Sequence, residues 1–415
     1  MKTVELNGIV YQWPRQPVVV VCVDGGDPAY FEQGRRDGVM PNLSRFMREG
    51  FYATADGTVP SFTCPNNMSL ITGAPPSVHG ISGNFYLNEA GEAVVMTGPE
   101  LLRSRTILAA FADAGARVVS ITAKDKLRKQ LGKDLDLTKG NVSFSSEFAS
   151  RCTLAENGIE NVLELVGMPQ PDMYSMDLSL FVIEAGIKLL ERDRPDLMFL
   201  SLTDYIQHKH APGDPVSNEF YRRIDEKIGR LAALGAVVGV TADHGMNDKS
   251  KPDGMPNVIF LQDILDAEFG AGDTKVICPI TDAFVRHHGA LGGFVRVWCR
   301  GGKATPAAII ALIKDIPGIL QALTRDDVCA RFDLPADREG DVAVIGDIGT
   351  VIGAAAADHD LSNLSDARLR SHGSTTEARV PFMLSRPIGA DFSLRAACDL
   401  KSFQIFEYAL NGVSA

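Results

Sequence analysis

Three short apolar runs in this chain, VVVVCV, LMFLSLT and VVGVTA, each end on an acidic residue: Asp24, Asp204 and Asp243, the last followed directly by His244. Short, predominantly apolar runs of this kind, the first of them β-branched, read as strands buried on both faces of a parallel sheet. Ligands of such sheets bind beyond the carboxyl ends of the strands, so the fold would gather these side chains along one edge. Another imidazole, His372, arrives much later, in RSHGSTTE. Three carboxylates and at least two imidazoles crowded together would repel or lie unpaired unless cations held them. The pattern points to a two-metal catalytic centre.

The segments between the runs have helical character. NLSRFMREG after Pro41 predicts a helix ending at Gly50, and RTILAAFADAG predicts another. A longer one covers roughly 176–191 before Pro195, and PVSNEFYRRIDEKIGRLAALG is strongly amphipathic. Strand ARVVSIT places Lys124 and Lys126 just past its end. Strands alternating with helices predict an α/β fold with a mostly parallel sheet flanked by helices. At 415 residues and 45% hydrophobic content the chain exceeds the usual single-domain size. After about residue 255 the rhythm changes to short strands such as GFVRVWC and DVAVIG with the helix TPAAIIALIKDI. We therefore expect a core of residues 1–255 and 366–415 carrying an inserted α/β cap of residues 256–365.

A formal charge of −11 argues against broad polyanion binding and hence against nucleic acid. No apolar run reaches membrane length, and the first residues, MKTVELNGIVYQWPRQP, lack a signal-like apolar stretch, so a soluble cytoplasmic protein without membrane contact is expected. The seven cysteines are scattered, with no CxxC pair, and read as reduced packing residues.

Asp204 and His208 stand four apart and share a face if the loop after the strand winds into a helical turn. With His372 they make a three-ligand set with an open position, as catalytic zinc requires. Asp24, Asp243 and His244 would form the second set with the hydroxyl of Thr63, whose pKa coordination would lower. Thr63 precedes Pro65 and so belongs at a helix N-terminus, where negative charge is favoured. Taken singly, each residue has a plainer role: Thr63 as a helix cap, the aspartates as turn or cap residues, His372 in a surface loop, and Lys124 and Lys126 on a solvated helix start. Their joint placement is what carries the reading. His210 is left out of the site, and adjacent His287 and His288 read as surface or packing residues.

Taken in order, VDGGD, PSFTCPNN, TDYIQH, TADHGM and SHGS resemble the alkaline phosphatase superfamily, in the branch that holds nucleotide pyrophosphatases and phosphodiesterases. The resemblance implies Asp24, Thr63, Asp243 and His244 around one metal, Asp204, His208 and His372 around the other, and Asn84 as a donor to a phosphoryl oxygen. It also implies two zinc ions per chain and a homodimer, although this ligand set by itself admits manganese. Within the branch the chain is similar to the phosphonoacetate hydrolases, through the threonine in SFTCPNNMSLITG, the pair Lys124 and Lys126, and the late insertion. That likeness implies a small phosphonate substrate cleaved at carbon–phosphorus through a phosphothreonine. Two alternatives remain: a phosphodiesterase or nucleotide pyrophosphatase on the same metals, and a non-catalytic phosphonate-binding protein.

Overall fold

The computed structural model describes residues 2–88, 90–281, 289–361 and 368–414. Its centre is a seven-stranded sheet in the order Phe51–Asp56, Arg379–Leu384, Val237–Thr241, Val18–Cys22, Leu197–Ser201, Val118–Thr122, Val142–Ser145. The five strands from Val237–Thr241 to Val142–Ser145 pair in parallel. Arg379–Leu384 runs antiparallel to both of its neighbours. Its direction follows from the path of the chain, which returns to the sheet at the edge where the parallel strands end and has no crossover to carry it to the other edge.

Burial on two faces explains the unbroken apolar runs. In Val18–Cys22, Val19 and Val21 pack under the helices Pro28–Arg36, Pro41–Glu49, Asp177–Asp193 and Pro215–Ala233. Val18, Val20 and Cys22 pack on the opposite side against Thr63–Thr72, Ile107–Asp113 and the C-terminal Ile405 and Phe406. Each fully buried valine contributes about 1.5 kcal/mol or more to the fold. The helices end where the sequence places punctuation: Pro41–Glu49 is closed by Gly50, and Asp177–Asp193 by Arg194 in the left-handed region just ahead of Pro195.

A second, antiparallel sheet lies in the chain between the strands Val237–Thr241 and Arg379–Leu384 of the first. Its order is Thr274–Ile277, Phe294–Cys299, Val342–Gly346, Ile319–Thr324. Helices Leu261–Phe269, Pro306–Ile313 and Arg325–Phe332 contribute to its apolar core. Phe62, beside Thr63, inserts into that core and meets Phe294 edge-on with ring centroids 6.5 Å apart. The second sheet therefore packs directly against the approach to Thr63. No helix among the described residues is long and apolar enough to cross a membrane.

Candidate metal centre and active site

The turns that follow the parallel strands bring the strand-end residues together. Asp24 leaves Val18–Cys22 on a turn through Gly25, whose φ of +67° suits glycine. A Cβ there would stand 3.0 Å from Cβ of Asp204, so only glycine lets the two strand ends approach this closely. Asp204 caps the short helix Tyr205–Lys209, and its Oδ2 lies 2.8 Å from His208 Nε2, the one-turn geometry expected from their spacing. His372 enters from the loop before the antiparallel strand, its Nε2 3.9 Å from the same Asp204 oxygen.

Donor atoms of Asp204, His208 and His372 lie within 4.8 Å of one another, as do those of Asp24, Asp204 and His244. Asp204 thus belongs to both groups and bridges them. His244 Nε2 is 3.3 Å from Asp24 Oδ1, 3.7 Å from Asp243 Oδ2 and 3.2 Å from Thr63 Oγ1. Asp243 is itself held by amides: Gly25 N–H and His244 N–H donate to Oδ1, and Asn67 Nδ2 donates to Oδ2. Thr63 opens the helix Thr63–Thr72, but Phe62 is the capping residue and no side chain caps that end. The Thr63 hydroxyl is directed to His244 instead.

The residues fit a metal by a test independent of ligand type. His208 Nδ1 donates to Arg370 O at 2.7 Å, His244 Nδ1 to Gly245 O at 2.9 Å, and His372 Nδ1 to Ser61 O at 2.8 Å. A carbonyl partner fixes Nδ1 as the protonated nitrogen and leaves the Nε2 lone pair facing the cluster, the orientation of metal-ligating histidines. The His244 and His372 rings stack 3.5 Å apart at 6°, an arrangement that resists two imidazolium charges. Without a cation the charges are ill matched. Burial and then the Asp204 and Asp243 carboxylates push Asp24 well above the usual range, and its Oδ1 is buried without a hydrogen-bond partner. Burial opposes a charge on His244, yet Asp243 and Asp24 outweigh it and draw its pKa up to about 10. Burial, followed by the His244 and His208 rings, holds His372 well below its ordinary value. Two divalent ions would relieve all three conflicts. Nitrogen and carboxylate donors without thiolate suit a catalytic rather than a structural site.

Asp24, Thr63, Asp204, His208 and His372 line one cleft together with Asn84, Lys124 and Lys126, while Asp243 and His244 lie fully buried behind it. Lys124 caps the helix Asp125–Leu131, and both lysines are half-buried. His210 lies aside, paired with Asp214, and His287 and His288 fall outside the described residues. Sequence reasoning missed Asn67, which lies one turn after Thr63 and hydrogen-bonds to Thr63 O, Asp243 Oδ2 and Ser201 Oγ. The spacing of four within PSFTCPNN was the available signal. It also missed Ser61, whose hydroxyl ties the Thr63 approach to Gly373 N and Ser374 O beside His372.

Because Asp204 stands in both groups, Asp204→Asn should weaken metal binding at both positions, by more than the roughly 10–100-fold typical of outer-shell changes. His372→Ala should weaken one position and spare the other. Metal titration of the two chelated variants checks this; equal stoichiometric losses in both would refute the bridging role.

The solved structures that this chain resembles include phosphonoacetate hydrolase from Sinorhizobium meliloti in complex with phosphonoformate. The identity is 46% and the TM-score 0.95, covering 100% of this chain and 99% of that one. The same enzyme in complex with phosphonoacetate matches at 45% identity with the same TM-score and coverage. Murine ectonucleotide pyrophosphatase / phosphodiesterase 5 shares the fold at 18% identity and a TM-score of 0.61, over 90% of this chain and 88% of that one. An uncharacterized pyrophosphatase/phosphodiesterase of Schizosaccharomyces pombe is 24% identical over 253 residues, or 59% of this chain; the match spans 44% of the yeast protein. The sequence model of type I phosphodiesterase / nucleotide pyrophosphatase matches residues 18–375. The model match over residues 18–375 and the fold shared with these hydrolases together show the family: the chain belongs to the type I phosphodiesterase / nucleotide pyrophosphatase family of the alkaline phosphatase superfamily.

Proposed function

We propose that this chain hydrolyses the carbon–phosphorus bond of phosphonoacetate to acetate and phosphate, using two zinc ions held by Asp24, Asp243, His244 and Thr63 on one side and Asp204, His208 and His372 on the other, with Asp204 within reach of both positions. The observation that carries the reading is the position of Lys124 and Lys126 in the same cleft as Thr63 and Asn84. Two ammonium groups beside a nucleophile suit a substrate with a phosphonate at one end and a carboxylate at the other. The 46% identity to an enzyme solved with phosphonoformate and phosphonoacetate supports the same substrate.

Zinc at this site would supply Lewis-acid polarisation of phosphoryl oxygens and lower the pKa of coordinated oxygens. The chain's own groups do the rest. Thr63 Oγ1, giving up its proton to solvent, attacks phosphorus in line and forms a phosphothreonine as the carbon–phosphorus bond breaks. The bonding electrons pass to the methylene carbon and spread into the carboxylate as an ene-diolate, which a proton from water converts to acetate. Lys124 and Lys126 hold that carboxylate and gain strength as its charge rises, so their contribution falls on the transition state. Asn84, whose Nδ2 already donates to Ile280 O at 3.1 Å, has one further N–H for an equatorial phosphoryl oxygen. Water then attacks phosphorus from the opposite side, Thr63 Oγ1 leaves, and phosphate is released. Ile280, which follows strand Thr274–Ile277 of the second sheet, lines the cleft, and we assign the unit that carries it the role of a cap that excludes bulky substrates. The proposal includes a cytoplasmic homodimer, tested by light scattering for twice the 44.7 kDa chain mass.

The experiment is phosphate release from phosphonoacetate, a nucleotide diester and an aryl phosphate, each after chelation and after zinc is restored. Zinc-dependent release from phosphonoacetate above the other two is expected. A preference for the nucleotide diester would favour the second reading, a phosphodiesterase on the same metals, to which the family description points. Replacing Lys124 and Lys126 together by alanine should cut kcat/KM for phosphonoacetate by about 100-fold or more, since each charge-assisted contact is worth roughly 1.5–3 kcal/mol. The aryl phosphate, which has no carboxylate, should lose far less; equal losses would remove the lysines from their role.

A further inference from the structure

Arg296 is the largest side chain fully buried in the molecule among the described residues, and it sits in the middle of the second sheet, on strand Phe294–Cys299. Its guanidinium forks onto Glu339, with Nε 2.5 Å from Oε2 and Nη2 paired to Oε1; both side chains are wholly removed from solvent. The remaining donors leave the second sheet altogether. Nη2 reaches Ser82 O at 2.8 Å and Nη1 reaches Phe85 O at 3.4 Å. These two carbonyls flank Asn84.

The turn has no slack. Asn84 N–H donates to Pro279 O at 2.9 Å, and Met96 N–H donates to Asn84 O at 2.7 Å. A Cβ added at Gly83 would lie 2.8 Å from Cβ of Pro279 and 3.1 Å from Arg296 Nη1. Arg338, next to Glu339, grips the start of the same segment through Gly80 O at 2.6 Å. A buried ion pair is seldom more stable than apolar residues of similar volume. What arginine offers here is shape, since its donors lie in a rigid plane and can bind a carboxylate and two carbonyls at once. Lysine cannot span them.

We propose that Arg296, oriented by Glu339, is a positioning residue for the reaction: it fixes the Ser82–Phe85 turn so that Asn84 meets the phosphoryl group. The inference rests on the reading of Asn84 as a phosphoryl contact. Through this clamp the second sheet acts on the chemistry as well as on access to the cleft.

The test measures kcat, KM, zinc content and melting temperature with phosphonoacetate for Asn84→Ala, Arg296→Lys, their double variant and Gly83→Ala. Asn84→Ala should lower kcat by about 100-fold, the scale for one lost oxyanion donor, with KM little changed. Arg296→Lys should lower kcat at least about tenfold with zinc content kept, and the double variant should be no worse than Asn84→Ala alone. Gly83→Ala keeps both Arg296 and Glu339 in the chain while its Cβ presses on Pro279 and on Arg296 Nη1 and displaces the turn, and should lower kcat likewise; it decides the matter if Arg296→Lys does not fold. Normal kcat in Asn84→Ala would overturn the phosphoryl-contact reading itself. A reduced Asn84→Ala beside a normal Arg296→Lys, or fully multiplied losses in the double variant, would overturn the positioning role alone. Should Arg296→Lys fail to fold, a normal kcat in Gly83→Ala would do the same.

Discussion

Thr63→Ala should bind zinc close to normally yet turn over phosphonoacetate at least about 10⁴ times more slowly, the scale on which loss of an enzyme's nucleophile is felt. Five side chains other than threonine supply the two groups of clustered donors, and three imidazoles in and around them remain oriented by backbone carbonyls that the substitution does not touch. What disappears is the oxygen 3.2 Å from His244 Nε2 at the head of the helix Thr63–Thr72. Acid-quenched wild-type enzyme should carry phosphate on Thr63, and the variant none. Thr63→Ser should keep part of the activity, because the oxygen persists while the methyl group that restricts its rotamer is lost. Unimpaired turnover by Thr63→Ala would eliminate the threonine from the mechanism and leave direct attack by water.

The strand-end residues were legible because the rule that locates them is local. An apolar run closed by Asp24, Asp204 or Asp243 carries its own boundary, and a parallel sheet puts all such boundaries at one edge. The Asp204–His208 contact was legible for the same reason, being one helical turn. The sharing of Asp204 between both groups was not, since it depends on how closely two strands approach at Gly25. Nor was the direction of Arg379–Leu384, which is set by where the chain re-enters after the second sheet. The supporting residues were hidden more deeply still. Arg296 meets Glu339 from 43 positions away and Ser82 from 214, and in the linear sequence GFVRVWC reads as a strand with one polar interruption. Buried charges have no local signature: a lysine or arginine within a strand looks solvent-facing until its partner, far off in sequence, is known.

Lys249 and Glu377 show what such a pair contributes beside the candidate metal centre, and Lys249→Met should be the most damaging substitution outside the cleft. Both side chains are completely buried, with Nζ 2.9 Å from Oε1. Glu377 also accepts from Asn247 Nδ2 at 2.7 Å, Thr376 Oγ1 at 2.6 Å and Ser374 N at 3.0 Å, while its carbonyl accepts from Gly245 N. The pair therefore binds the turn after Asp243–His244 to the loop that carries His372, and Lys249 Nζ extends to Asp347 O, just past strand Val342–Gly346 of the second sheet. Removing one partner of a buried pair leaves the other charged in a dry site and costs roughly 3–5 kcal/mol. Three neutral donors remain around the carboxylate, so the lower end, about 3 kcal/mol, is expected for Lys249→Met. Because the His244 and His372 rings stack 3.5 Å apart, a shift of either loop separates them, and zinc affinity should fall along with the melting temperature. Glu377→Gln, which keeps the side-chain shape and an acceptor oxygen, should lose stability without opening the loops as far, and so retain more zinc than Lys249→Met. Chelator competition alongside thermal melts distinguishes the cases: a lower melting temperature with unchanged zinc affinity in both variants would make the pair a stabilising contact only, uncoupled from the metal centre.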